Sequence, residues 1–101
     1  MSAQYARFRD FYPYYLSEHS NPTCRRLHFL GSTLALIFVV TAIATRNAWW
    51  VLVALLAAYG CAWIGHFVFE KNRPATFTYP FYSFAGDWVM YVDMLRGKVR
   101  F

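Results

Sequence analysis

Three histidines are the residues best suited to chemistry in this 101-residue chain. A neutral imidazole is the commonest protein ligand for transition metals, and two or three of them with a carboxylate make an iron, zinc or manganese site. His28 lies 18 residues before Arg46, and His66 lies 19 residues after Asn47. The apolar stretches 27–45 and 48–69 are separated only by Arg46-Asn47, so the second must run back beside the first. At ~1.5 Å rise per residue both histidines stand ~27–29 Å from the turn, at one depth. His19 lies just upstream, so every imidazole in the chain can converge on one patch of membrane surface. His66 and Glu70 are spaced i, i+4, which on an α-helix places both on one face and lets the carboxylate bind a metal or orient a ligand histidine. Asp87 is the other carboxylate candidate. Any one histidine taken alone would more often bond a carbonyl at the interface. Three at one depth, where polar groups are costly, point to a shared site.

The elements that must position them are membrane helices. The chain is 58% hydrophobic, 22% aromatic and only 15% charged. Its two apolar stretches approach the ~20 residues that cross a ~30 Å hydrocarbon layer, more apolar surface than a soluble domain of this size can bury. The first sixteen residues are polar-aromatic, which argues against a signal peptide. Nine of the ten Lys and Arg residues lie outside the hairpin turn, Arg46 being the exception, so the positive-inside rule puts both termini and the histidines at the cytoplasmic face. The net charge of +5 suits anionic lipid headgroups; the basic residues bracket apolar spans and form no folded stripe, which argues against nucleic acid. Cys24 and Cys61, in a reducing compartment and without Cys-x-x-Cys spacing, read as an unlinked pair, Cys61 as a packing residue.

The fold expected is all-α: one membrane domain over residues 1–101, with a two-span hairpin, an N-terminal interfacial helix and a C-terminal interfacial or third membrane helix. Residues 3–16 carry Phe8, Phe11, Tyr12 and Tyr15 at helical spacing, with Pro13 expected to kink or interrupt the helix. Asn21-Pro22 reads as an N-cap and first helical residue, starting the first span and leaving His19 in a loop. Stripes of small residues, Gly31, Ala35 and Ala42 with His28, and Ala54, Ala58, Cys61 and Gly65, let the spans approach closely or mediate contact between protomers in a homo-oligomer. Segment 77–95, with Pro80, Gly86, Asp87 and Asp93, reads as a helix from near Pro80 lying partly in the interface. Asp93 and Arg96 are spaced for a surface ion pair. Trp49, Trp50, Trp63 and Trp88 suit interface belts. Ser83 lacks an obvious base partner, and no glycine-rich phosphate loop is present.

A longer pattern carries a resemblance. Phe11-Tyr12, Tyr15-Leu16, Glu18-His19, Asn21, Leu27-His28 and Gly31, then the run from Gly65-His66 through Glu70, Asn72 and Pro74-Ala75, with Pro80, Ser83 and Asp87, resemble the small membrane 2-hydroxy-fatty-acid dioxygenases. The Gly-His-x-x-x-Glu-x-Asn-x-Pro-Ala run is its most specific part. The resemblance implies an oxidoreductase that shortens 2-hydroxy fatty acids by one carbon with iron(II) and dioxygen, the α-oxidation used in phytosphingosine breakdown. Eukaryotic members reside in the endoplasmic reticulum; for so compact a chain the bacterial inner membrane is the expected setting. By carry-over His19, His28 and His66 bind the metal, and Glu70 or Asp87 is a further ligand, an orienting group or a proton-transfer group. Arg25, Arg26, Lys71 or Arg73, at the cytoplasmic rim, could hold the substrate carboxylate. The same residues admit rivals: a haem protein with paired axial histidines, a small multidrug-type transporter, which would want more spans and a mid-membrane acid, or a non-catalytic membrane adaptor.

Overall fold

A computed structural model describes residues 5–101. Residues 3 and 4, at the head of the expected first helix, lie outside them. The described residues are all-helical, with four α-helices among them: α1 (Phe8–Ser17), α2 (Pro22–Thr45), α3 (Trp49–Ile64) and α4 (Pro80–Leu95). A π-helical turn, Gly65–Glu70, prolongs α3, and a 3-10 turn, Ala75–Phe77, precedes α4.

The α2 start is set by its sequence. The Asn21 side chain accepts from the backbone N–H groups of Thr23 (2.8 Å) and Cys24 (3.4 Å), and Pro22 fills the first turn, where its missing N–H costs nothing. Its other end closes on Arg46 in the left-handed conformation (φ 55°), with the Asn47 N–H returning to the Ala42 carbonyl at 3.1 Å. A left-handed non-glycine residue is strained by roughly 1 kcal/mol. Arg46→Gly should therefore raise the thermal midpoint in detergent, by a stabilisation of up to about 1 kcal/mol; a lowered midpoint would mean that the arginine side chain holds the turn.

Two helices, Pro22–Thr45 and the continuous Trp49–Glu70, are long and apolar enough to cross a membrane. Their outward side chains, among them Val40, Ile43, Leu56 and Ile64, are exposed, as lipid-facing residues should be. Thr33 and Thr41 turn their hydroxyls back onto the carbonyls of Phe29 and Ile37, so neither hydroxyl is an unmet donor toward hydrocarbon. The spans meet along the small-residue seam. A Cβ built on Gly31 would stand 3.0 Å from the Ala58 carbonyl oxygen and from Cys61 Cβ, and one on Gly65 2.9 Å from Cys24 Sγ. Both cysteines are free.

Beyond the histidine end of the hairpin lies a second, aromatic core. Phe11 and Tyr15 of α1 are fully buried with Ala75, Met90 and Met94, edged by Tyr5, Phe8, Tyr12, Tyr79 and Tyr82. The aromatic stripe expected to lie on the membrane is thus spent mainly on α4. Pro13 stays inside α1, where the carbonyl it leaves unpaired, that of Arg9, belongs to an exposed residue on the exposed side. Asp93 does not pair with Arg96; it accepts the Tyr12 hydroxyl at 2.8 Å, a cross-helix bond that local spacing could not reveal. Helix α4 starts at Pro80 as expected, and its 16 residues rise only ~24 Å, less than the hydrocarbon thickness.

Candidate metal centre

Each histidine arrives at the centre on a different element. His28 stands just above the N-terminus of α2, His66 lies in the π turn and His19 lies in the loop between α1 and α2. All three are buried. The Nε2 atoms of His19 and His28 are 3.1 Å apart and those of His19 and His66 3.0 Å apart, and one ligand atom from each ring lies within 4.8 Å of the others.

The opposite ring nitrogens decide what this means. His19 Nδ1 lies 2.6 Å from the Tyr15 carbonyl and His28 Nδ1 2.9 Å from the Cys24 carbonyl. His66 Nδ1 lies 2.8 Å from the side-chain oxygen of Asn72, whose NH2 in turn donates to the Glu18 carbonyl at 3.1 Å. Each partner is an acceptor, so each Nδ1 carries the proton, and three Nε2 lone pairs face one another with no hydrogen to share. Buried acceptors so arranged repel unless a cation lies among them. Two nitrogens bonded to one ion at about 2.0–2.1 Å stand roughly 3 Å apart or slightly more, and the separations of His19 from His28 and from His66 match. The cavity at the centre, about 10 Å3, holds one atom-sized occupant. The residues therefore fit a single transition-metal ion with an all-imidazole donor set. A porphyrin does not fit, since ring centroids 4.4–5.0 Å apart leave no slot for a macrocycle between any two rings.

The elements supporting the rings are specific. Tyr15 stacks on His19 (centroids 4.0 Å apart), accepts its Nδ1–H through the backbone, and donates its hydroxyl to Asp87. Gly86 makes room for that ring, a Cβ there lying 2.9 Å from it. The π turn ends at Lys71, left-handed at φ 58°, which folds the chain back so that Asn72 N–H reaches the His66 carbonyl at 3.0 Å while its side chain holds the ring. Burial, with His28 and His66 close by, holds His19 well below its usual pKa. Burial also raises the Asp87 carboxyl to about 6, against the opposing Tyr15 hydrogen bond.

The other expected residues are distributed differently. Glu70 accepts from the Asn21 N–H and from Ser20 Oγ (3.3 Å), tying the His19 loop to the end of the second span. Its carboxylate is thus spent on the His19 loop, with no hydrogen bond to His66. Asp87 borders the histidine cavity. Arg25 donates to the carbonyls of His19 (3.0 Å) and Ser20 (2.8 Å), so it braces the same loop, and Arg26 donates to the Phe101 carbonyl. Lys71 and Arg73 are exposed. None of these four cations borders the histidine cavity. Trp63 borders it instead of serving purely as an interface residue.

Sequence reading gave Asn72 and Tyr15 no role at the metal. Asn72→Ala should lower metal affinity about 10–100-fold, the usual cost of losing a partner that orients a ligand histidine. Equilibrium dialysis against a competing chelator measures this, and an unchanged affinity would remove Asn72 from the assignment.

No curated protein and no solved structure matches the chain. A family model does match, over residues 5–99, and spans all three histidines, Asn72 and Asp87. On that match the chain belongs to the Mpo1-like family, described as 2-hydroxy-palmitic acid dioxygenase Mpo1-like.

Proposed function

We propose that this protein is an iron(II)-dependent membrane dioxygenase that shortens 2-hydroxy fatty acids by one carbon, with His19, His28 and His66 as the metal ligands. The observation that carries the reading is the convergence of three Nε2 atoms, each ring having an oxygen acceptor against its Nδ1. Family membership supports the substrate class. Bound iron(II) would supply the redox chemistry with dioxygen. The overall balance closes with no other oxidant: RCH(OH)CO2H + O2 gives RCO2H + CO2 + H2O.

The chain's own groups then have definable tasks. Three neutral imidazoles hold the ion without cancelling its charge, which favours an anionic head such as a 2-hydroxy carboxylate. Asp87 borders the centre with its Oδ1 held by the Tyr15 hydroxyl, and we assign it as the acceptor for the substrate's hydroxyl proton. Orientation follows the positive-inside rule, with the site at the cytoplasmic face.

Protein purified anaerobically in detergent tests the reading, through metal content, absorption spectrum and oxygen uptake with 2-hydroxypalmitate. One iron per chain, no haem band, and one O2 consumed per acid shortened are the expected results. A haem band, or the absence of metal after iron(II) reconstitution, would overturn it. The latter result, with biological activity surviving a His28→Ala, His66→Ala double substitution, would favour the adaptor.

A further inference from the structure

A second cavity, of about 160 Å3, runs along the groove between α2 and α3. His28 and Ala62 border its lower end, Ala35 and Ala54 its middle, and Val39 and Val51 its upper end. Each pair joins positions that face one another across the antiparallel hairpin. Phe84, Asp87 and Trp88 of α4 wall the histidine end. His28, Tyr59, Ala62 and Asp87 border both this groove and the histidine cavity, so the two adjoin and only these side chains stand between them.

The groove is polarised. Its titratable and hydroxyl groups gather at the histidine end, and from Ala35 upward its lining is aliphatic. Ser83, only 1% exposed, also borders the histidine cavity, and its hydroxyl has no partner. A buried hydroxyl in that state is costly unless a ligand completes it. We propose that this groove seats one unbranched acyl chain of about a dozen methylenes, its polar head at Ser83 and the histidines, and that Ala35, Ala54, Val39 and Val51 set the chain length accepted. The proposal rests on the 2-hydroxy-acid reading of the centre and adds where the tail lies and what measures it.

The length follows from geometry. His28 and Val39 are eleven residues apart, ~16 Å along the helix. A staggered chain with C–C bonds of ~1.5 Å advances about 1.25 Å per methylene, so about thirteen span the groove. The groove suits a single chain because its lining beyond Ser32 on the two spans is small or aliphatic and the helices approach at Gly31 too closely to admit even a Cβ. Val39, Val51 and Phe84 are partly exposed at the rim, so a chain enters sideways from the bilayer. Lipid tails are as apolar as the groove, so transfer into it is nearly neutral, and chain length acts by seating the head at the centre.

The test compares Ala35→Leu with the wild type, as iron-loaded protein, on 2-hydroxy acids of 8 to 16 carbons. A leucine at position 35 blocks the groove ~10 Å above His28, at about eight methylenes. The ratio of kcat/KM for the 8-carbon acid to that for the 16-carbon acid should rise at least tenfold, whereas the lipid-facing Leu56→Trp should not change it. Iron content in each variant reports folding. In parallel, a 14-carbon 2-hydroxy acid with a terminal diazirine should label Val39 and Val51, and Ala35→Leu should abolish that labelling. Turnover with no change of the ratio overturns the groove and leaves the dioxygenase standing. Labelling at Val39 and Val51 without turnover supports the groove and overturns the dioxygenase. Labelling spread over outward residues such as Ile37 and Leu56, indifferent to Ala35→Leu, overturns the groove whatever the activity.

Discussion

His28→Ala should abolish metal binding at the three-histidine centre while leaving the hairpin assembled. The substitution removes one of three Nε2 donors, and the loss of affinity should exceed the about 10–100-fold expected for an orienting partner such as Asn72. The helices survive because His28 contributes little to the seam: its ring bonds only its own helix, at the Cys24 carbonyl, and otherwise faces His19 and His66. Iron analysis after anaerobic purification should show one ion per chain in the wild type and essentially none in the variant, with unchanged far-UV circular dichroism. Acid should mimic the substitution, because protons compete with the ion for the same lone pairs. The sign is definite for His19, whose folded-state pKa lies below its unfolded value of about 6.5. The unfolded chain binds the proton first, so metal-free protein loses stability as pH falls below about 6.5, and bound metal, by stabilising the folded state, should move the acid-unfolding midpoint to lower pH. A variant that keeps full iron would show that the histidines are only buried packing groups.

Much of this centre was legible because membrane helices obey length arithmetic. The short turn at Arg46-Asn47 fixes the register of the hairpin, and the register fixes the depths of His28 and His66. Asn21-Pro22 likewise announced the start of α2 and so the loop position of His19. What stayed hidden depends on backbone conformations that residue type does not announce. Gly65–Glu70 winds as a π turn, and Lys71 adopts a left-handed conformation that a lysine seldom takes. Glu70 spends its carboxylate on Asn21 and Ser20, and the left-handed Lys71 brings Asn72 back as the partner of His66. The Asn at the sixth position after His66 in the Gly-His-x-x-x-Glu-x-Asn run was the available signal, since an amide can accept from the ring and donate onward. Tyr15 was hidden differently. Its helical spacing read as a lipid-facing stripe, and only the docking of α4, with Gly86 against its ring and Asp87 at its hydroxyl, turns it inward. Long-range pairs such as Tyr12 with Asp93 defeat local spacing for the same reason.

Gly31→Leu should damage the centre nearly as badly as losing a ligand, although Gly31 touches no histidine partner. Even a lone Cβ at this position would stand 3.0 Å from the Ala58 carbonyl oxygen and 3.1 Å from Ala58 Cα, so backbone atoms would have to move. A full leucine forces α2 and α3 apart, at a cost of about 1–3 kcal/mol for overpacking. Lipid opposes that separation weakly, because no hydrophobic force presses one membrane helix against another. His28 lies one turn from Gly31 on α2 and His66 rides on the continuation of α3, so the opening draws these two rings, whose centroids now stand 5.0 Å apart, away from each other and from a shared ion. A shift of a few tenths of an ångström takes one imidazole out of bonding range. Iron content should fall at least tenfold and the thermal midpoint in detergent should drop. Gly60 supplies the control, because nothing lies within 4 Å of a Cβ built there. Gly60→Ala should keep its iron and gain up to about 1 kcal/mol from helix propensity. Equal iron loss in both variants would mean that glycine flexibility, and not the close approach at Gly31, maintains the centre; full iron in Gly31→Leu would show that the ligands do not depend on the seam at all.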